Sequence, residues 1–179
     1  DYGQKTQARE AQCARDLSRW YGLEPPIMAE IPLLKALDGH SMLEGGEQLD
    51  MVRPKLAYVP FRNTILLSMA TAWAEHNGQG CVVIGSHASD RVCPDNSPDF
   101  ISAFQALTDI ARLRERPIRV LAPFVHLSKQ RVVALGLELE VPLHLTWSCY
   151  NQTETACGVC GNCRDRLTAF EGCGVEDPI

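Results

Sequence analysis

The chain has 179 residues, 45% of them hydrophobic, which is ordinary for one globular domain, and a formal net charge of −5 at pH 7. That acidic balance argues against a protein that holds nucleic acid by diffuse charge, and no apolar run approaches the ~18 residues of a membrane span. With no signal-peptide pattern and no evident cysteine pairing, it reads as a cytoplasmic protein in a reducing compartment.

In chain order, residues 4–21 read as a helix, with Ala8, Ala11, Ala14, Leu17 and Trp20 at helical spacing and Gly22 as a stop signal. Residues 23–31 cross Pro25-Pro26 and then run apolar, which predicts a short strand ended by Pro32. Residues 33–54 hold three glycines and many polar side chains, the pattern of a surface loop with a short helix. An active-site lid is the functional alternative there.

A strong helix is predicted over 64–77, with Ile65, Met69, Ala72 and Trp73 on its inner face, ended by Gly78 and Gly80. The continuous apolar run 81–85 has the length of a strand and the character of one buried on both faces, as in a parallel sheet. The polar loop 86–98 at its carboxyl end carries His87, Asp90, Arg91, Asp95 and Asn96. In open α/β sheets ligands bind beyond such ends, although turn-forming Asp, Asn and Pro also suit a plain solvated loop. A helix over 99–114 follows, capped by Asp99, with Phe100, Phe104, Leu107, Ile110 and Ala111 inward. Residues 118–121 read as a strand and 128–135 as a helix with Lys129 in its first turn. A cation there opposes the helix dipole, or meets a phosphate. A short piece at 137–142 leads to the cysteine-rich segment, a last helix spans 162–170, and the tail beyond it is expected to be loose.

Cys149, Cys157, Cys160 and Cys163 form the pattern C-x7-C-x2-C-x2-C with Gly158 and Gly161 in the turn. Two thiolates of a C-x2-C turn reach one tetrahedral ion at about 2.3 Å, and four fill its shell with no open position. That describes a structural zinc site. A four-thiolate iron–sulfur cluster is its rival, and disulfides or unrelated free thiols are the plain alternatives. The chain contains no G-x-G-x-x-G, Walker A, Ser-His-Asp or H-E-x-x-H motif. The residues alone give an α/β domain with a parallel sheet, a structural metal site and a ligand loop around Asp90.

Five segments, in order, resemble the 7-cyano-7-deazaguanine synthase family (QueC). DYGQ at 1–4 is similar to the family's FDYGQ, and YVPFRNT at 58–64 to its YVPGRNT. VVIGSHASD…PDNSPDFISAF at 82–104 is similar to VIG-x-NA-x-D…PDC-R-P-x-F-I-x-AF. RPIRVLAPFVHLSKQRVVALGLELEVP at 116–142 is similar to I-x-x-PL-x-x-LSK-x-x-IV-x-LG-x-ELGVP. TWSCYN…CGVCGNCRDR-x-x-AF at 146–170 is similar to TWSCY-x-G…C-G-x-C-D-SC-x-x-R-x-x-AF. The chain departs from these patterns at Phe61, where the family has glycine, at His87, where it has asparagine, and at Asn96-Ser97, where it has Cys-Arg.

The resemblance implies a Rossmann-like, PP-loop fold of the adenine nucleotide α-hydrolase type, a parallel sheet with helices on both faces. That domain would span 1–145, with the zinc knuckle and C-terminal helix, 146–179, packed on it. It implies a homodimer and an ATP- and magnesium-dependent conversion of 7-carboxy-7-deazaguanine and ammonia to the nitrile, on the route to queuosine. It further implies that Tyr58, Arg62, Asn63, Gly85, Asp90, Asp95 and Lys129 contact nucleotide or substrate, with Arg62 and Lys129 in catalysis, and that Cys149, Cys157, Cys160 and Cys163 bind Zn2+. The chain starts at Asp1, after the place of the family's first strand and SGG-x-DS phosphate loop. It is therefore expected to be a C-terminal portion that does not turn over ATP alone. A non-catalytic zinc-stabilised module, or a ligase for another carboxylate, is the alternative.

Overall fold

The computed structural model describes residues 1–37, 42–43, 58–90, 93–113, 115–151 and 153–179. Most of the loop expected over 33–54, with its lid alternative, lies outside these residues. The chain forms two compact units, a terminal unit of Asp1–Val59 with Gln130–Ile179 and a middle unit of Pro60–Lys129.

The middle unit is a parallel two-stranded sheet with two helices. Helix α3 (Arg62–His76) leads to β1 (Cys81–Val83), a 3-10 turn at Pro94–Asn96 leads to α4 (Pro98–Ala111), and β2 (Arg119–Leu121) follows. The strands run in register Cys81↔Arg119, Val82↔Val120, Val83↔Leu121, the arrangement a helix crossover produces. One face of this sheet holds the core. Val82 and Val120 lie on it with Ile118, beneath Leu67 and Ala74 of α3 and Phe104 of α4. Val83 is 62% exposed, so the expectation of a strand buried on both faces is corrected: burial here alternates.

The inward faces of both helices also differ from expectation. Helix α3 buries Asn63, Leu67 and Ala74, while Met69 and Trp73 stay largely exposed. Apolar residues surround this helix, so periodicity cannot choose the face, and polar contacts of Asn63 choose it instead. Helix α4 buries Phe104 and Thr108 and leaves Leu107 and Ile110 exposed. The Thr108 hydroxyl is accommodated by donating to the Phe104 carbonyl at 2.8 Å. The cap of α4 is Ser97, not Asp99: its hydroxyl accepts from the Phe100 N–H at 3.1 Å. Helix α3 ends as read, with Gly78 in the left-handed region and the Gln79 N–H reaching back to the Ala74 carbonyl at 2.8 Å.

The terminal unit contains α1 (Gln7–Trp20), the single turn α2 (Pro32–Lys35), α5 (Lys129–Glu138), a 3-10 turn at Leu143–Leu145 and α6 (Gly161–Glu171). Gly22, at φ +64°, closes α1 while the Leu23 N–H returns to the Ser18 carbonyl. Trp20, one of the residues at helical spacing, is mostly exposed, with its ring edge-on to His144. No strand forms over 23–31, because Pro25 and Pro26 withdraw two consecutive amide donors. Its end is tied down by the Ile31 N–H donating to the Asp1 carbonyl at 2.8 Å and by the Asp1 amino group donating to the Ala29 carbonyl. Pro32 begins a helical turn there, as proline at N1 can.

Helix α5 does not stop at Leu135 as expected. It runs through the buried Gly136, beside which the Leu143 side chain packs closely, and closes at Glu140, φ +54°, with the Val141 N–H on the Gly136 carbonyl. The tail is not loose either: Asp177 makes a buried ion pair with Arg166 of α6.

Candidate functional site

The four cysteines converge. Their sulfurs all lie within 4.8 Å of one another, with Cys157 and Cys163 at 3.9 Å. All four are free thiols, so the disulfide alternative does not apply. A tetrahedral cation bonded at about 2.3 Å requires sulfurs about 3.8 Å apart, close to this cage. Cys149, Cys160 and Cys163 are buried. Cys160 stands at the N-terminus of α6, and the αL residue Gly158 turns the chain between Cys157 and Cys160.

Backbone and side-chain donors surround the sulfurs. The N–H groups of Asn151 and Cys157 approach Cys149 Sγ at 3.4 and 3.5 Å, and the Cys160 N–H approaches Cys157 Sγ at 3.4 Å. The Asn151 side-chain amide donates to Cys157 Sγ at 3.3 Å. Burial opposes the Cys157 thiolate, but the N–H groups of Val159 and Cys160 and the Asn151 amide outweigh it and bring its pKa to about 6. Burial pushes the Cys160 and Cys163 thiols up, and neighbouring cysteine thiols add to the rise. A donor set of four soft sulfurs with N–H groups aimed at them fits a metal ion.

The second cluster belongs to the middle unit and centres on Asn96. Asn96 Oδ1 accepts from Asn63 Nδ2 and from Ser86 Oγ, both at 2.8 Å. Asn96 Nδ2 donates to Asp90 Oδ2 at 2.6 Å. Asp95 Oδ2 accepts from the Asn63 backbone N–H at 2.9 Å, and its carbonyl accepts from Asn63 Nδ2 at 3.3 Å. Arg62 Nε approaches Asn63 Oδ1 at 3.4 Å. Ser86, Asn63, Asp95 and Asn96 are all buried, which such a satisfied network allows.

The cause is local. The 3-10 turn Pro94–Asn96 delivers Asp95 and Asn96 together to the first turn of α3. Cys93 lies just before that turn: burial, then the charge of Asp90, push its thiol up to about 11 against the pull of Arg62.

Arg62, Asn63, Asp90 and Asp95 are thus brought together. Gly85 adjoins Ser86, and a Cβ there would meet nothing within 4 Å, leaving open space beside the backbone. The Lys129 N–H donates to Ser89 Oγ at 3.1 Å, on the same loop as Asp90. Tyr58 is half-buried in the terminal unit. The sequence reading missed the contacts of Ser86, Asn151 and Arg166. Arg166 had a signal: it stands on the same stripe of α6 as Cys163, Ala169 and Phe170.

The family described as queuosine biosynthesis protein QueC matches residues 1–174. The chain belongs to this family. A 7-cyano-7-deazaguanine synthase of Methanospirillum hungatei JF-1 is 38% identical, over 99% of this chain and 84% of the relative. One of Koribacter versatilis is 39% identical, over 99% of this chain and 78% of the relative. One of Methanosphaerula palustris is 40% identical, over 100% of this chain and 84% of the relative. The family assignment agrees with the five collinear segments read from the sequence. No helix among the described residues is long and apolar enough to cross a membrane.

Proposed function

We propose that the protein serves as a 7-cyano-7-deazaguanine synthase, converting 7-carboxy-7-deazaguanine and ammonia to the nitrile with ATP and magnesium. The observation that carries this is the 38–40% identity to synthases of that name across essentially the whole chain. The grouping of Arg62, Asn63, Asp90 and Asp95 around one buried asparagine supports it.

In chemical terms, a carboxylate oxygen is a poor leaving group. Attack of the substrate carboxylate on the α-phosphorus of ATP expels pyrophosphate and gives an acyl adenylate. Ammonia displaces AMP to form the amide. The amide oxygen takes a second adenylyl group, and loss of AMP and protons leaves the C≡N bond. Magnesium would neutralise phosphate charge in both adenylations. The nucleophile comes from solution, so the protein's tasks are positioning and charge compensation.

Arg62 offers a planar fork to phosphate or carboxylate, and Lys129 a second cation. Asp90 is held by Asn96 through Oδ2, which leaves Oδ1 for the N–H groups of a guanine-like base. Asp95 and Asn63 hold the start of α3, and open space beside Gly85 admits a ligand close to the backbone. Cys149, Cys157, Cys160 and Cys163 hold zinc in a closed structural shell.

This reading places the domain in the Rossmann-like PP-loop class, with residues 1–145 as the nucleotide domain and 146–179 as its zinc-bearing end. It also makes the protein a cytoplasmic homodimer, and eight unpaired cysteines agree with a reducing compartment.

Calorimetric titration with 7-carboxy-7-deazaguanine tests the site. Binding is expected, weakened at least tenfold by Arg62→Ala and by Asp90→Asn. Affinity unchanged in both variants contradicts the placement.

A further inference from the structure

Arg166 of α6 is 7% exposed, and its guanidinium is engaged in three directions. Nε donates to Asp177 Oδ1 at 2.9 Å and Oδ2 at 2.8 Å. Nη1 donates to Thr146 Oγ1 at 2.7 Å, and Nη2 to the Leu143 carbonyl at 3.2 Å. The Phe170 ring lies beneath, its centroid 5.0 Å from Cζ. The Thr146 hydroxyl donates onward to the same Leu143 carbonyl at 2.6 Å, so both of its roles are used.

The positions matter more than the number of bonds. Thr146 stands three residues before Cys149, and Arg166 three residues after Cys163. One side chain therefore ties together the two segments that supply the first and the last thiol of the cage. Its counter-ion comes from neither. Asp177, with a side chain only 5% exposed, comes from the tail beyond α6. Such a partner offsets the desolvation of a buried guanidinium.

We infer that Arg166 and Asp177 form a positioning pair for the four-thiol centre. The C-terminal tail closes a latch that fixes the distance between the 143–149 segment and α6, and so pre-forms the metal cage. The inference rests on the reading of the four cysteines as one metal site. Groups that orient metal ligands from outside the coordination shell typically govern 10–100-fold in metal affinity.

The test is titration of the metal-free chain with Co2+, followed by chelator competition for Zn2+, on the unsubstituted protein and on Asp177→Asn, Arg166→Lys and Asp177→Glu. The four-thiolate cobalt absorption is expected in every case, because every cysteine is retained. Metal affinity is expected to fall about 10–100-fold in Asp177→Asn and Arg166→Lys and to return close to the original value in Asp177→Glu. Metal-free and zinc-bound Tm values are read in parallel. A merely structural ion pair lowers both equally, whereas the latch makes the zinc-induced rise in Tm smaller in the variants. Should one variant lose its helical signal without metal, the other carries the comparison. Unchanged affinity, or an unchanged zinc-induced rise, overturns the latch. No thiolate absorption in the unsubstituted chain overturns the metal reading and the latch with it.

Discussion

The Asp95 carboxylate stands 2.9 Å from the backbone N–H of Asn63 and so caps the first turn of α3 from a different segment of the chain. The residue before that helix, Phe61, supplies no side-chain cap. One of the orphan amides at the helix start is therefore satisfied by a residue that sequence reading treats as a ligand contact. Asp95 thus holds the start of α3, and the same turn delivers Asn96 to the buried cluster.

Asp95→Ala removes this acceptor and leaves a buried amide without it. Loss of such a cap costs about 1–2 kcal/mol. Urea unfolding is expected to show that decrease with an unchanged m-value. A variant as stable as the original means that the carboxylate does not cap α3 in solution.

Phe61 and Glu140 are the two described non-glycine residues with positive φ, at 55° and 54°. Both stand where the QueC patterns quoted above carry glycine. A left-handed L-residue costs about 1–2 kcal/mol, and the extra unfolded-state freedom of glycine takes back about 0.5–1. Phe61 is 66% exposed, so its removal forfeits little burial. Phe61→Gly and Glu140→Gly are each expected to raise stability by about 0.5–1 kcal/mol. Thermal or urea unfolding that shows destabilisation would refute the strain at that position.

Cys93 gives a pH dependence of defined sign. Burial and then Asp90 push its folded thiol up to about 11 from an ordinary value of 9.0. Above pH 9 the native state keeps a proton that the unfolded chain has released. The associated stability is full below that pH and is lost as pH rises towards 11. Between about pH 8 and about pH 10.5, the unsubstituted protein is expected to lose more stability than Cys93→Ser. Parallel curves for the two proteins would show that this thiol is not held protonated.

Cys160→Ser tests the cage itself. The sulfur is fully buried and its residue opens α6. A metal shell that contributes folding energy is lost with one ligand. Metal content by mass spectrometry is expected to fall from stoichiometric to none, with a lower Tm. Retained metal and an unchanged Tm would remove the structural-metal assignment.

The gathering of the four cysteines was the most legible part of the chain, because C-x2-C spacing constrains three dimensions through a few bonds. The order of helices was legible too, as was the parallel pairing of the strands at 81 and 118, since apolar runs and glycine stops report locally. What the sequence concealed depended on partners far along the chain. Helix α3 is apolar all round, so its buried face is set by Asn63 reaching Asn96, 33 positions away. Gly136 reads as a breaker, yet it serves a close approach of Leu143 inside a continuous helix. The tail reads as loose because nothing in it announces that Asp177 has a buried arginine to meet. The strand expected over 23–31 failed where paired prolines outweighed apolar character.

The most direct test of the proposed reaction uses the complete gene product with 7-carboxy-7-deazaguanine, ATP, magnesium and 15N-ammonium, followed by mass spectrometry. The expected result is 7-cyano-7-deazaguanine carrying the label in its nitrile, with two AMP formed for each nitrile. Labelled amide without nitrile, or no acid-dependent AMP at all, would contradict the proposed function.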